Sequence, residues 1–263
     1  MTSRAKSSFI KSVSAAAGVV FLLACGGLAS AADEPAAEEA DLAKTILQKA
    51  DLVRFPAQGF EVGVTINSSG ASAPTEVHKY RILSKGNENT IVMSTEPASE
   101  RGQIMLMKAR DLWVFLPAVS QPVRLGLSQR LTGMVANGDL ARANFVGDYD
   151  PKLLRKEAVD GESTYVLELT AVDRSVPYHR VVLWVRQATY APVKAEFYSL
   201  SDRLLKTCLY QNYEKMAGRL RPTRLVMQDA LRSGEESVLD YADMKLRELP
   251  DKVFTKDYLK RLE

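Results

Sequence analysis

Phe60-Glu61-Val62-Gly63-Val64-Thr65-Ile66-Asn67 sets one apolar side chain against one polar or small one at every step. Side chains alternate between the two faces of a strand. The run therefore predicts a half-buried strand with Phe60, Val62, Val64 and Ile66 on its apolar side. A Ser/Gly/Pro-rich loop over 68–74 ends it. Outward from there the same style repeats, with strands expected at 76–83, 90–95, 103–108 and 112–116, and Lys85-Gly86-Asn87 as a hairpin turn. In the second half strands are expected at 165–170, 180–186, 193–198, 204–213, 220–229 and 236–247. Asp160-Gly161, Ala217-Gly218 and Ser233-Gly234 supply turns. About eleven strands with few long helices predict a mainly β (α+β) chain built as a meandering antiparallel sheet.

Two helices flank this pattern. Leu42, Ile46, Leu47, Ala50 and Val53 recur at helical spacing until Pro56 stops them, and a short helix is expected at about 255–262. Between Pro117 and Pro151 the strand pattern lapses. Leu125, Leu127, Leu131, Met134, Val135, Leu140, Phe145 and Val146 stand there among glycines and charges. So long a break inside a compact domain is often a lid or binding loop, and Leu125, Leu127, Leu131, Met134, Val135, Leu140 and Phe145 are the lid candidates.

The N-terminus carries the marks of export. Arg4, Lys6 and Lys11 precede an apolar, alanine-rich run from Val13 to Ala24, and Ala29-Ser30-Ala31 fits a secretory cleavage site. The run is too short for the roughly 20 apolar residues that span a bilayer. Residues 1–31 are thus read as a signal peptide, 32–40 as an acidic flexible linker, and 41–263 as one domain. The periplasm is the expected compartment. Leu22-Leu23-Ala24-Cys25 offers a second outcome, in which Cys25 is acylated and anchors the chain to a membrane.

Charge and cysteine usage narrow the function. The chain has 35 basic and 32 acidic residues, a net charge of +3. Arg4, Lys6 and Lys11 supply that whole excess, so the mature chain has 32 of each sign and gives no support to a nucleic-acid partner. Cys25 and Cys208 are the only cysteines, so no disulfide framework is expected. His78 and His179 are each read as inside a predicted strand, and Ser128 and Ser163 lack a nucleophile-elbow setting. Asn137, Asp139, Asn144, Asp148 and Asp150 cluster in the long loop without the spacing of a calcium loop. Neither catalysis, metal nor cofactor is expected. The positive signal is apolar strand surface. Tyr80 with Ile82, Ile91 with Met93, Met105 with Met107, and Trp113 with Phe115 are candidates to line the same face as Phe60, Val62, Val64 and Ile66, and to contact a ligand there. An ordinary core covered by the first helix explains the same pattern, and periodicity alone favours it.

Three stretches carry a resemblance. Leu112-Trp113-Val114-Phe115-Leu116-Pro117 is followed by Arg124, Gln129-Arg130 and Gly138-Asp139-Leu140. Val182-Leu183-Trp184-Val185-Arg186 precedes Tyr190-Ala191-Pro192-Val193-Lys194. Arg203-Leu204-Leu205-Lys206 runs on to Tyr213 and then Pro222-Thr223-Arg224. In this order they resemble the LolA-like outer-membrane lipoprotein-sorting superfamily, in the branch associated with inner-membrane efflux-type transporters. The likeness covers residues 42–249. It departs at Gly138-Asp139-Leu140, where relatives often have a Ser-Asp-Phe type run, and at Arg186, where they have an acid.

The resemblance implies an open half-barrel of about eleven antiparallel strands whose concave face is covered by helices. It implies a carrier of lipid or lipoprotein acyl chains between envelope membranes, working as a monomer and beside an inner-membrane transporter. The alternative is a non-enzymatic envelope sensor or interaction module, since the same fold serves in regulators of envelope-stress signalling, or an accessory protein of an inner-membrane transporter.

Overall fold

The computed structural model describes residues 33–259 except 71–73, 87 and 120. The expected signal peptide and Cys25 lie outside these residues, as does the end of the expected C-terminal helix. A first helix, α1 (Asp33–Arg54), leads into β1 (Phe60–Ser69), β2 (Glu76–Lys85), β3 (Asn89–Glu96), β4 (Ile104–Lys108), β5 (Asp111–Phe115) and β6 (Val123–Leu125). A small ladder of β7 (Arg130–Thr132) and β8 (Val135–Ala136) precedes the short helix α2 (Asn137–Ala141). The chain then runs through β9 (Tyr149–Val159), β10 (Glu162–Ala171), β11 (Arg180–Arg186), β12 (Pro192–Tyr198), β13 (Leu204–Met216), β14 (Arg219–Asp229) and β15 (Glu236–Leu246). A 3-10 turn (Asp251–Phe254) and α3 (Lys256–Leu259) follow.

β1–β6 and β9–β15 form one thirteen-stranded antiparallel sheet in the order β6-β5-β4-β3-β2-β1-β15-β14-β13-β12-β11-β10-β9. Each half is a meander of neighbours in sequence. The single long-range seam is β1 against β15, where Phe60 faces Leu246 and Ser69 faces Glu236. The right-handed twist of strands accumulates over such a sheet and curls it. Arg110, in the β4–β5 turn, reaches Asp148 at the start of β9 with Nε 3.1 Å from Oδ1. The sheet is thus strongly curved, with β6 and β9 as its open edges, and the half-barrel expectation holds with two more strands than the estimate.

In the main sheet β9 and β6 are the strands the sequence pattern does not predict, as are β7 and β8 in the small ladder. β9 is an edge strand carrying Pro151, which is tolerated there because one side of an edge needs no donor. A bulge also breaks its alternation. Arg155 pairs with Val166 and Leu153 with Leu167, which leaves Leu154 unpaired and exposed.

α1 packs on β9, β12 and β14 through Ala43, Ile46, Leu47 and Ala50. The expected stripe is right in the middle and shifted at both ends: Leu42 is exposed and Val53 only half-buried, while Asp51 and Arg54 turn inward. The acidic stretch expected as linker belongs to the helix, and residues 37–42 are exposed there. Pro56 ends the helix. Its last carbonyls, at Leu52 and Val53, accept from Nη1 of the buried Arg221 of β14 at 2.9 and 3.1 Å. Burial holds that guanidinium down at about 10.

The sheet buries both faces. The main core fills the concave side beneath α1 and the 126–148 segment. A second core lies on the convex side of β2–β4, where Val253, Phe254 and Leu259 cover Leu83, Ile91, Met93, Ile104 and Leu106. That explains the unbroken apolar run Ile104-Met105-Leu106-Met107, as a strand covered on both sides needs no polar alternation. Among the described residues no helix is long and apolar enough to cross a membrane.

Candidate ligand cavity

The lid candidates all pack into or against the concave core: Leu127, Val135, Leu140 and Phe145 are buried, and Leu125, Leu131 and Met134 are partly so. What fixes this segment is polar. Asp139, in α2, accepts from the Ala136 N–H at 2.7 Å, the Tyr178 hydroxyl at 3.0 Å and Lys206 Nζ at 2.6 Å. Lys206 projects from β13, is 2% exposed, and also donates to the Met134 carbonyl at 2.8 Å. The N–H of Met134 donates to Ser237 Oγ at 2.9 Å, and that hydroxyl bonds Ser68 at 2.8 Å across the β1–β15 seam. Gly133 sits directly above, at φ +48°, where a Cβ would lie 2.1 Å from Ser68 Oγ and 2.3 Å from Ser237 Oγ. Only glycine allows that approach.

A second polar anchor ties the same segment to α1. The Asp51 carboxylate accepts from the N–H groups of Phe145 and Val146, both at 2.8 Å, and from Arg54 Nη1 at 3.1 Å. The Arg54 guanidinium lies 4.3 Å from the Phe145 ring centroid. Burial pushes the Asp51 carboxyl up, opposed by Arg54 and the two N–H groups. Around this anchor, burial raises the phenols of Tyr178, Tyr210 and Tyr241 and pushes the Cys208 thiol up to about 12. These groups are held neutral, as structural core rather than nucleophiles.

The lid does not fill the whole concave face. Between β2–β6 and residues 129–137 there is a cavity of about 380 Å³ lined by Tyr80, Val92, Ser94, Glu100, Gln103, Met105, Val114, Leu116, Leu125, Gln129, Arg130, Leu131 and Asn137. Under α2 and the last turn of α1 the spaces are about 20 and 30 Å³, and a more open groove of about 410 Å³ lies between the start of α1 and β9.

Of the residues expected to line a ligand face, Phe60, Val62, Val64, Ile66, Tyr80, Ile82, Met105 and Met107 do lie together on the concave side. Only Tyr80 and Met105 reach the cavity. Ile91, Met93 and Phe115 belong to the convex core instead, and Trp113 lies beneath Lys256, whose Nζ is 5.0 Å from its ring. The reason is register. Lys85 pairs with Asn89, so three residues form the β2–β3 turn, and Ile82 faces Val92 rather than Ile91. Met105 likewise faces Val114, not Trp113. A one-residue difference in turn length moves every side chain to the other face. Val92, Ser94 and Val114 were therefore missed, together with the polar mouth residues Glu100 and Arg130.

The loop acids are taken up by cations. Asp148 receives Arg110 and Arg142, the latter through Nη2 at 2.6 Å, and Asp139 receives Lys206. Among the described residues no group of three or more His, Cys, Asp or Glu side chains is placed to hold a metal ion. His78 has Nδ1 3.2 Å from a Glu100 oxygen, and His179 is exposed, just before β11 rather than within a strand.

Comparison with known proteins agrees with this architecture. A family model described only as "Uncharacterized protein" matches residues 86–261, and no curated protein matches the chain. A crystal structure of a LolA superfamily protein from Nitrosomonas europaea is 64% identical, covering 82% of this chain and 98% of that one, with a TM-score of 0.79. An outer membrane lipoprotein-sorting protein domain from Vibrio parahaemolyticus shares the fold at 23% identity and a TM-score of 0.74, over 84% of this chain and all of that one. A DUF1329 family protein from Desulfovibrio piger does so at 24% and 0.73, over 84% and 99%. With 82% of its length matched at 64% identity by a protein of that superfamily, the chain belongs to the LolA superfamily.

Proposed function

We propose that the protein is a non-enzymatic carrier that holds an acyl chain of a lipid or lipoprotein on its concave face and passes it between envelope membranes. The observation that carries this reading is the cavity of about 380 Å³ left between an apolar sheet face and a separately latched segment. Pockets of roughly 300–1,000 Å³ with apolar walls and few polar groups are the usual form of small-molecule sites. At roughly 30 Å³ for each methylene, about the share of one water in the liquid, the closed cavity takes about a dozen carbons. A longer chain needs the segment around Leu131 to shift. Each buried methylene contributes about 0.8 kcal/mol, so even a partial chain supplies several kcal/mol before ordering costs. The lid residues compete for that same apolar surface, which gives a route to release.

This role places the protein in the periplasm after removal of residues 1–31, or on a membrane through Cys25. The intact mass of protein purified from cells distinguishes the two. The function itself is tested by purifying the protein from the periplasm without detergent and analysing its organic extract by mass spectrometry. A stoichiometric lipid is expected. Protein that arrives empty, and refuses added phospholipid and lipopeptide, would replace the carrier with an interaction module.

A further inference from the structure

The cavity has a sided chemistry beyond its apolar floor. Val92, Met105, Val114, Leu125 and Leu131 form that floor. Ser94 also lines it, is only 7% exposed, and its Oγ is a buried polar atom with no hydrogen-bond partner. Such orphans are rare, because leaving a buried hydroxyl unsatisfied costs about 1–3 kcal/mol. Two charges stand at the mouth. Glu100 comes from the β3–β4 turn, and Arg130 opens β7 on the lid side. They are not paired with each other. Among the described residues Glu100 has only His78 as an ion-pair neighbour, which leaves most of its acceptor capacity open. Arg130 is exposed and has no ion-pair partner among the described residues. The Glu100 carboxylate, after burial, adds to the upward push on the Tyr80 phenol, which places its field over the cavity wall.

We propose that this cavity is a site for a single-chain zwitterionic amphiphile of the lysophosphatidylethanolamine class: its chain on the apolar floor, its phosphate at Arg130, its ammonium at Glu100, and Ser94 Oγ bonded to an oxygen between chain and head. The volume admits one short chain and not two. Opposite charges on opposite walls fit a head that carries both signs, whereas a purely anionic head meets Glu100 and an uncharged head engages neither. The proposal rests on the carrier reading and adds the headgroup to it.

The test is titration calorimetry of the mature protein with four amphiphiles of equal chain length: lysophosphatidylethanolamine, lysophosphatidylglycerol, an alkylamine and an alkyl glucoside. The zwitterion is expected to bind tightest, by about tenfold over each of the others, the effect of one charge-assisted hydrogen bond. Glu100→Gln should remove the preference over lysophosphatidylglycerol while keeping binding of the latter. Arg130→Gln should weaken both phosphate-bearing ligands and spare the alkylamine. Both sites are at the mouth, so unchanged melting temperatures are expected to accompany these effects. Equal affinity for all four heads would overturn the headgroup proposal and leave the carrier reading standing. Failure of every amphiphile to bind would remove both.

Discussion

The two halves of the concave face are closed by different means. Over β9, β12 and β14 the chain lays down α1, and α2 beside it packs on β3 and β4; buried charges fasten both, Asp51 with Arg54 and Asp139 with Lys206 of β13. Beneath α2 and the last turn of α1 the spaces left are about 20 and 30 Å³, and an open groove of about 410 Å³ lies where the start of α1 meets β9. Over the outer part of β2–β6 it lays down residues 129–137, tied at one end through Met134 to Lys206 and Ser237 but facing the cavity with partly buried Leu131, and leaves about 380 Å³. Apolar contacts can be exchanged for a ligand's methylenes at little net cost. A buried ion pair cannot be opened so cheaply, because each charge must be rehydrated or re-paired. The first half therefore acts as a fixed hinge side and the second as the exchangeable side.

The sharpest way to break that contrast is to unpair the latch. Asp139→Ala leaves Lys206 charged and buried and should cost about 3–5 kcal/mol, read from the urea midpoint. The double variant Asp139→Leu, Lys206→Met should recover most of that loss, since an apolar pair leaves no buried charge behind. A cost below about 1 kcal/mol for the single change, the size of a surface pair, would mean the segment is held by packing alone. On the convex side, Phe254→Ala empties a fully buried site and should cost about 3 kcal/mol. It lies behind the sheet, so lipid uptake per folded molecule should stay the same. Leu131→Ser should cost only about 1 kcal/mol, as Leu131 is half-buried, yet change the rate of lipid uptake and release. Unaltered rates would show that residues 129–137 do not gate the cavity.

How much of this was readable in the sequence follows the same division. β1 is legible because one face is buried and its alternation is unbroken, with Glu61, Thr65 and Asn67 half-buried on the other face. β4 reads as apolar on both sides, which reveals burial but not which side meets a ligand. The parity of β3 and β5 hangs on the length of turns whose residues look alike for two or three positions, so Ile91 and Trp113 were placed on the wrong face. β9 hides behind Pro151 and the bulge at Leu154. The latch was invisible for another reason: Asp139 and Lys206 are 67 residues apart, and a lone Asp after glycine reads as a turn residue until β13 is folded beneath it. The resemblance covered the architecture that these local signals left open.

The seam between the halves gives the smallest and most specific prediction. Glu61 of β1 accepts from Arg81 Nε of β2 at 2.7 Å and from Arg247 Nε, just past β15, at 2.8 Å, so one carboxylate clamps three neighbouring segments. The hydrogen bond from Arg81, followed by that from Arg247, holds the carboxyl below its ordinary value of 4.5. A carboxylate lowered in the folded state stabilises the fold at pH above the unfolded value, and that contribution is lost as pH falls through the folded one. Both arginines are half exposed, so screening limits the effect. Glu61→Gln should cost about 0.5–1 kcal/mol at pH 7, as exposed pairs do. The difference from the wild type should shrink in high salt and vanish once the pH is well below 4.5. If instead the difference persisted at acid pH, the seam would owe nothing to this charge, and the β1–β15 ladder with its Ser68–Ser237 bridge would be its whole support.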